Sequence, residues 1–144
     1  MSIRFVLNEK LCSGCGVCSV ACSELHGIDP SRGDRPLRWI LSDLDRNGMP
    51  RYRSLSCRHC ANPQCVEACP VGALYREENG LVLFDPDSCL ACGACESACP
   101  FEAISYTPGG VIQKCDGCID RIRAGLQPAC TRTCPTGALY WEKA

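Results

Sequence analysis

The sequence predicts an α+β fold of two similar modules, in which short strands and short helices surround groups of cysteine side chains. All sixteen cysteines of the 144-residue chain fall into four runs of four. Two pairs of segments repeat: 5–12 resembles 82–89, and 69–75 resembles 134–140. Three Phe, two Trp and four Tyr are too few for a large aromatic core. The cysteines and what they bind must therefore hold together one small domain, 1–144.

Short apolar segments and turn residues divide the chain into strands and helices. A strand over 3–7 is followed by a helix over 17–25, which Gly27 can end as a C-terminal cap. An Asn47-Gly48 turn predicts a hairpin around it. The other predicted elements are strands at 37–42, 51–56, 71–75, 81–84, 103–106, 111–114 and 136–141, and a helix at 119–124 that Asp116 caps and Gly125 closes.

The third run has the most specific spacing. Between Cys89 and Pro100 it reads C-x2-C-x2-C-x3-C-P. This is a ligand spacing for a [4Fe–4S] cluster, in which three thiolates bind one cluster and the fourth reaches a second. The first run repeats this spacing without the proline, the second has two additional residues, and the fourth has a long insertion. Sixteen cysteines therefore provide four thiolates for each of four [4Fe–4S] clusters.

Disulfide bonds and zinc are the alternative uses of so many cysteines. The N-terminal segment shows no apolar signal region or cleavage site. We therefore expect a cytoplasmic location, where reducing conditions disfavour disulfides. Zinc sites made only of cysteine usually pair two C-x2-C knuckles. Because C-x2-C-x2-C leaves one thiolate too many for each knuckle, zinc is disfavoured as well.

Composition also limits the partners that the chain can have. No apolar segment approaches the roughly 18 residues of a membrane helix, so we expect no membrane span. The formal charge of −1 becomes more negative once thiolates and clusters are included. That charge disfavours nucleic acid as a partner and suits docking to a basic protein surface.

The four runs can pair in two ways. Sequential pairing joins the first run with the second and the third with the fourth. Nested pairing joins the second with the third, inside, and the first with the fourth, outside. We favour nesting, because a two-cluster ferredoxin brings the strand before its first run beside the strand after its last, and here these strands lie at the chain ends. The inner module is then 53–108, the outer module is 1–27 with 109–144, and 28–52 forms a hairpin arm.

Cross-ligation within each nested pair gives four ligand sets. In order, sets 1 to 4 are Cys12, Cys15, Cys18 and Cys134; Cys22, Cys115, Cys118 and Cys130; Cys57, Cys60, Cys65 and Cys99; and Cys69, Cys89, Cys92 and Cys95.

Other side chains near the cysteines have expected roles too. His26 is interpreted as a helix-end residue, since every cluster already has four thiolates, and His59 as a loop residue packed on a cluster. Four side chains flank ligand cysteines and could carry positive charge: Arg58, His59, Lys114 and Arg132. Their charge would favour the reduced, more negative state of the neighbouring cluster and so raise its reduction potential. The arm is interpreted either as a cover that limits solvent access or as a docking surface for another subunit.

Two of the runs resemble those of a known family. The segment 57–74, C-R-H-C-A-N-P-Q-C-V-E-A-C-P-V-G-A-L, resembles the second run of the four-cluster iron–sulfur subunits of molybdenum and tungsten oxidoreductases. These include the dimethyl-sulfoxide reductase, formate dehydrogenase and polysulfide reductase types. The segment 115–139, which begins C-D-G-C and ends C-P-T-G-A-L, is similar to their fourth run. The resemblance covers nearly the whole chain and implies the nested ligation.

The resemblance implies that the chain is a non-catalytic electron-transfer subunit. Electrons would pass between a catalytic subunit, suspected to be a molybdenum- or tungsten-pterin protein such as an aldehyde or formate oxidoreductase, and a second redox protein or flavin subunit. The sequence departs from the family in lacking a proline after Cys22 and in ending ten residues after Cys134. Its small size is similar to that of the small subunits of tungsten aldehyde oxidoreductase complexes.

Three alternative functions are weighed against this one. The chain could be a conducting structural polyferredoxin that assembles into oligomers or filaments, or a free-standing hydrogenase-type electron carrier. It could also be an iron–sulfur sensor, which the full ligation of every cluster and the lack of a DNA-binding segment oppose.

Overall fold

The computed structural model describes residues 2–144 and is an α+β arrangement of short elements. Within those residues, the strands form four separate two-stranded antiparallel sheets. The strands are β1 Ile3–Leu7, β2 Trp39–Leu44, β3 Pro50–Leu55, β4 Leu74–Arg76, β5 Val82–Phe84, β6 Ser105–Tyr106, β7 Ile112–Gln113 and β8 Leu139–Lys143. The helices are α1 Val17–His26, α2 Gln64–Ala68, α3 Ala94–Ala98, α4 Ile119–Arg123 and α5 Ala129–Thr133, with a 3₁₀ turn at Pro30–Arg32.

The two ends of the chain pair with each other. β1 and β8 run antiparallel, with Ile3 opposite Lys143 and Leu7 opposite Leu139. Ile3 and Leu139 are buried, so apolar packing reinforces the backbone hydrogen bonds between the two strands. The prediction that the first and last strands are neighbours is confirmed.

β2 and β3 form the predicted hairpin of the arm, with Trp39 opposite Leu55. The Asp45 carboxylate accepts two backbone N–H groups of the following turn, at 2.8 and 2.9 Å, as short polar residues do in turns. β2 begins two residues later than predicted, because Leu37 packs against Cys22 instead of joining the sheet.

Two other strands begin three residues later than predicted, because cysteine sulfurs accept hydrogen bonds from the backbone at these strand starts. Before β4, which begins at Leu74, the Ala73 N–H donates to Cys69 Sγ at 3.3 Å. At the start of β8, the Leu139 N–H donates to Cys134 Sγ at 3.4 Å. In each Cys-Pro-x-Gly-Ala-Leu segment, the backbone therefore curves around the cysteine sulfur before the strand begins.

Three short helices are absent from the sequence prediction. α2, α3 and α5 span five residues each, and each contains the third cysteine of its run: Cys65, Cys95 or Cys130. α1 packs against α5, and α2 packs against α3. The first run therefore lies beside the fourth, and the second lies beside the third.

The predicted helix at 119–124 is present as α4, but its start differs from the prediction. The Asp116 carboxylate accepts the N–H of Cys118 at 2.8 Å, in the loop before the helix. Cys118 itself is the N-cap residue and has left-handed backbone, with φ 53°. Asp116 therefore shapes the ligand loop and does not cap α4.

The apolar core consists of small clusters of side chains. One surrounds Cys95, and its buried aliphatic members are Leu74, Val82, Ile104 and Ile112. Another contains Ile3, Leu81, Leu83 and Ile119. Such small clusters bury little apolar surface, so cysteine-bound cofactors are needed for stability.

Candidate metal centres

The cysteines of set 1 line one cavity between the outer strands and the arm. Cys12, Cys15 and Cys18 come from the loop before α1 and its first turn, and Cys134 comes from the segment before β8. Ile40 of β2 and Ser54 of β3, the last strand of the hairpin, complete the wall. The cavity has about 310 Å³ of atom-free space. The structure thus brings all four predicted ligands of set 1 together.

A second cavity, of about 370 Å³, is lined by all of set 3. The second run contributes Cys57, Cys60 and Cys65, and the third run contributes Cys99. Lys114, which precedes the fourth run, also lines this cavity. Both cavities therefore take three cysteines from one run and one cysteine from another run.

Set 4 borders an apolar cluster. Cys69, Cys89 and Cys95 pack around Leu74 and its neighbours, whereas Cys92 is exposed. Burial raises the pKa of the Tyr106 phenol, and the charges of Cys95 and Cys92 act in the same direction. Cys92 and Cys95 are therefore both close enough to Tyr106 to affect it electrostatically.

Set 2 is the most buried of the four sets. Cys22, Cys115, Cys118 and Cys130 are all buried. Burial raises the pKa of Cys130 to about 12 despite the positive charge of Arg38, and the other three thiolates of the set add to that effect. The four side chains are therefore close enough to interact electrostatically.

Each run contains the same backbone feature one residue before its second cysteine. The residues there, Gly14, His59, Ala91 and Gly117, all have positive φ, from 46° to 73°. In the last three of these loops, the N–H of this residue donates to the Sγ of the run's first cysteine, at 3.5, 3.2 and 3.3 Å. Such N–H···S bonds stabilise negative sulfur and help to set cluster potentials.

Backbone donors also reach the fourth cysteine of two runs. Burial would raise the pKa of Cys69 and Cys134, but N–H groups of the following residues, joined at Cys134 by the Thr136 hydroxyl, outweigh it and lower both values. A lowered thiol pKa favours the thiolate, the form that binds a metal. The bends after Cys69 and Cys134 are therefore built to hold ionised sulfur.

Cys115 is surrounded by side chains that stabilise its thiolate form. Burial alone would raise its pKa, but the hydrogen bond from His59, then the charges of Lys114 and Arg38, lower it below its usual value. Cations near a thiolate stabilise the ionised form. Two of these three residues, Lys114 and Arg38, lie outside the Cys57–Cys65 loop.

Arg38 is a buried cation from the arm, which the sequence analysis did not identify. Its side chain is 4% exposed, and its Nη1 donates to Ser54 Oγ at 3.0 Å. Because the Ser54 oxygen accepts from Arg38, its own hydrogen is free for Cys18 Sγ, 3.2 Å away. Among residues 2–144, no carboxylate forms a salt bridge with Arg38. Thiolates are the negative groups that remain to balance its charge.

His26 is the last residue of α1, as predicted, and it ties that helix to the fourth run. Its Nε2 lies 3.0 Å from Asp116 Oδ1, and its Nδ1 lies 2.9 Å from the Cys22 carbonyl oxygen. The hydrogen bond to Asp116, followed by that to Cys22, raises the pKa of His26 to about 11. His26, Asp116 and Cys118 lie within 4.8 Å of one another, so this contact fixes a loop that carries a predicted ligand.

The chemistry of these sites fits [4Fe–4S] clusters. All sixteen cysteines are free thiols, so none is used by a disulfide. The cavities of sets 1 and 3 present soft sulfur ligands on walls whose accessible surface is mostly apolar, which suits iron–sulfur clusters. The N–H donors at the sulfurs supply the hydrogen bonds that such clusters accept.

Comparison with known proteins gives the same chemistry. Residues 49–144 match the family described as "4Fe-4S dicluster domain", and residues 9–25 match the "4Fe-4S binding domain". Together these matches include all four runs.

The chain is also similar to curated proteins over 94% of its length. It is 40% identical to the thiosulfate reductase electron transfer subunit of Salmonella typhi, covering 73% of that protein. It is 35% identical to the B subunit of the anaerobic dimethyl sulfoxide reductase of Escherichia coli, covering 70%. It is 36% identical to the formate dehydrogenase-O iron-sulfur subunit of Escherichia coli, covering 51%.

None of the helices between residues 2 and 144 combines the length and the apolar character needed to cross a bilayer.

Proposed function

Because the chain belongs to the 4Fe-4S dicluster domain family, we propose that it passes electrons between a catalytic oxidoreductase subunit and a second redox partner. It is a non-catalytic, electron-transfer iron–sulfur subunit with four [4Fe–4S] clusters. Its relatives are subunits of thiosulfate reductase, dimethyl sulfoxide reductase and formate dehydrogenase. The proposed catalytic partner is therefore a molybdenum- or tungsten-pterin enzyme, and the proposed second partner is a redox protein or flavin subunit.

The clusters are proposed to be held by the nested ligand sets. The observation that carries this proposal is the composition of the two cavities, which combine Cys134 with the first run and Cys99 with the second. The pairing of β1 with β8 and the packing of α1 on α5 also support it. Sequential pairing would instead need the first and second runs to exchange cysteines.

The nested sets give an ordered path for the electrons. Sets 1 and 2 belong to the outer module, and sets 3 and 4 to the inner module. Cys15 of set 1 and Cys92 of set 4 are exposed, so the clusters of these two sets would exchange electrons with the partners. The less exposed sets 2 and 3 would connect them. A reducing, cytoplasmic location remains part of the proposal, because it keeps sixteen cysteines available as ligands.

The number of clusters is the first expected result. Protein purified without oxygen should contain about sixteen iron atoms and sixteen acid-labile sulfides, by four thiolates per cluster. Iron and sulfide analysis, with electron paramagnetic resonance (EPR) of the reduced protein, measures this directly. A colourless protein with stoichiometric zinc, or one with about half the expected iron and intact folding, would contradict the four-cluster proposal.

The arm is proposed to cover the cluster of set 1. The Tyr52 ring packs on the ligand loop so closely that a β-carbon added to Gly14 would lie 2.6 Å from it. Ile40 and Ser54 line the cavity itself. A cover of this kind limits solvent access, which influences cluster potential. The exposed tip of the arm, with Leu44 and Met49, remains available for contact with another subunit.

Removal of a hydroxyl group from β3, the second strand of the hairpin, tests the contact of this cover with the cluster. Ser54→Ala should lower the midpoint potential of the cluster bound by Cys18. The substitution removes an O–H donor 3.2 Å from Cys18 Sγ, and with it the hydroxyl that links this sulfur to Arg38. Ser56→Ala is the matched control, since the Ser56 hydroxyl is also buried but donates to the Leu37 carbonyl at 3.0 Å. EPR-monitored redox titration compares the two variants. Equal potentials in Ser54→Ala and Ser56→Ala would count against the cover.

A further inference from the structure

A histidine makes a direct contact between sets 2 and 3. His59 belongs to the loop between Cys57 and Cys60, two cysteines that line the cavity of set 3. Its Nε2, however, lies 3.5 Å from Sγ of Cys115, a member of set 2. A ligand loop of one proposed module thus places a ring nitrogen at a ligand sulfur of the other.

The backbone of β5 fixes the protonation pattern of this ring. The Val82 N–H donates to His59 Nδ1 at 3.0 Å, so Nδ1 acts as the acceptor and carries no proton. In the neutral imidazole, the proton then lies on Nε2. The group that faces Cys115 Sγ is therefore an N–H donor.

Lys114 makes the reciprocal contact. It precedes Cys115 of set 2, yet it lines the cavity of set 3 together with Cys57. Its Nζ donates to the carbonyl oxygens of Val82 and Cys115, both at 2.6 Å. Burial raises the pKa of the Cys57 thiol, and the charge of Lys114 opposes that rise. Each module thus contributes a donor or a cation to a sulfur of the other module.

Val82 anchors both side chains for a simple backbone reason. The backbone N–H and C=O groups of Leu81 and Leu83 point towards β4, since the Leu81 carbonyl accepts the Glu77 N–H at 2.8 Å and Leu83 lies opposite Tyr75. Neighbouring residues of a strand direct their N–H and C=O to opposite sides. The polar groups of Val82 therefore lie on the free edge of β5, and with Val82 1% exposed they need the partners that His59 and Lys114 provide.

The position of His59 in its loop is unusual for a histidine. Its φ is 46°, and the equivalent positions in the first and fourth runs are Gly14 and Gly117. Glycine adopts positive φ without the steric cost that a side chain brings. Phe5 of β1 stacks on the imidazole, with ring centroids 5.9 Å apart. A strained backbone held by packing on several sides is typical of a functional position.

We propose that His59 and Lys114 form a reciprocal bridge across the module boundary, which tunes the clusters of sets 2 and 3 and lies at the step where electrons pass between them. The proposal rests on the nested ligand sets of the proposed function. His59 is the donor to the cluster of set 2 and Lys114 is the cation beside the cluster of set 3. Each residue acts on the cluster of the other module as well as on the one that its own loop flanks.

Burial separates the two side chains of this bridge from Arg58 and Arg132, which also flank ligand cysteines. Lys114 and His59 are 7% and 8% exposed, whereas Arg58 and Arg132 are exposed. Salt and water screen exposed charges far more than buried ones. The buried pair should therefore dominate the effect on potential.

His59→Gly is the main test, because glycine already occupies this loop position in two other runs. We expect the variant to keep four clusters and to lower the midpoint potential of the set 2 cluster, since an N–H donor to its ligand sulfur is lost. The EPR signal of that cluster is identified as the one that Cys118→Ser removes. The signal that Cys12→Ser removes, from set 1, should keep its potential.

Lys114→Met is the second test, and Arg132→Gln is its control. Loss of the buried ammonium should lower the potential of the signal that Cys60→Ser removes, from set 3. Loss of the exposed guanidinium should move the cluster potentials less. A shift in Arg132→Gln as large as that in Lys114→Met would overturn the role of the bridge.

A third test detects the histidine contact directly, without relying on a change in potential. Protein with isotopically labelled histidine nitrogens should show a hyperfine coupling between a histidine nitrogen and the set 2 cluster in pulsed EPR, and His59→Gly should lose it. Four clusters with no such coupling and unchanged potentials would overturn the bridge and leave the electron-transfer proposal intact. Fewer than four clusters in the unmodified protein would instead overturn the proposed function itself.

Discussion

Replacing Cys22 by serine should remove or strongly alter the cluster bound by Cys115, Cys118 and Cys130, and should spare the cluster bound by Cys57, Cys60 and Cys65. The expected loss is about four iron atoms per chain, one [4Fe–4S] cluster. The physical reason is the position of α1, which packs on α5 and brings Cys22 into the electrostatic neighbourhood of Cys130.

The affected cluster can be identified by comparison of signals. Under nested ligation, reduced Cys22→Ser should lack the same EPR signal as Cys118→Ser and retain the signal that Cys60→Ser lacks. Sequential pairing requires the opposite result, because Cys22 would then complete the cluster of the second run. Cys69→Ser serves as the matched control, since under nesting it alters the signal that Cys92→Ser removes and no signal of the outer module.

Much of this arrangement could be predicted from cysteine spacing and from the position of strands. A run such as Cys89 to Cys99 fixes three thiolates in one loop, so its chemistry depends on a few adjacent residues. The pairing of the chain ends follows from one apolar strand before the first run and one after the last. These local patterns are sufficient to predict that Cys134 lies near Cys12, Cys15 and Cys18. All four cysteines line the cavity of set 1.

The contacts between loops could not be predicted in the same way. α2, α3 and α5 have five residues each, which is too short for a helical apolar period to be recognised. The hydrogen bond of Ser54 to Cys18 and the reach of His59 to Cys115 join residues 36 and 56 positions apart. Contacts at such separation depend on packing of the whole fold, which no local pattern encodes.

One signal in the sequence did point to the special loop position. Gly14 and Gly117 precede the second cysteine of their runs, and a glycine repeated at one position indicates a positive φ there. His59 and Ala91 occupy the same position and adopt the same backbone. Alignment of the four runs by their second cysteine would therefore have identified His59 as a residue kept in an unfavourable conformation.

Among the substitutions proposed here that leave every cysteine in place, Gly117→Ala should cause the largest loss of stability. An added β-carbon would lie 2.7 and 2.8 Å from the two terminal carbons of Leu81, and Leu81 is 0% exposed, so it has no free space to move into. Overpacking costs about 1–3 kcal/mol, and alanine at φ +68° adds roughly 1–2 kcal/mol. The clash also displaces the N–H that donates to Cys115 Sγ.

Gly125→Ala separates these two contributions. Gly125 has a comparable φ of +78°, but an added β-carbon there meets no atom within 4 Å, so the variant carries only the backbone strain. Anaerobic thermal unfolding, followed by loss of the visible cluster absorbance, should therefore show a much lower midpoint for Gly117→Ala than for Gly125→Ala. Gly117→Ala should also release iron faster at moderate temperature, because the strained loop holds two ligands of set 2. Equal midpoints and equal iron release in the two variants would mean that Leu81 does not confine this loop, and that the fourth run is held by its cysteines alone.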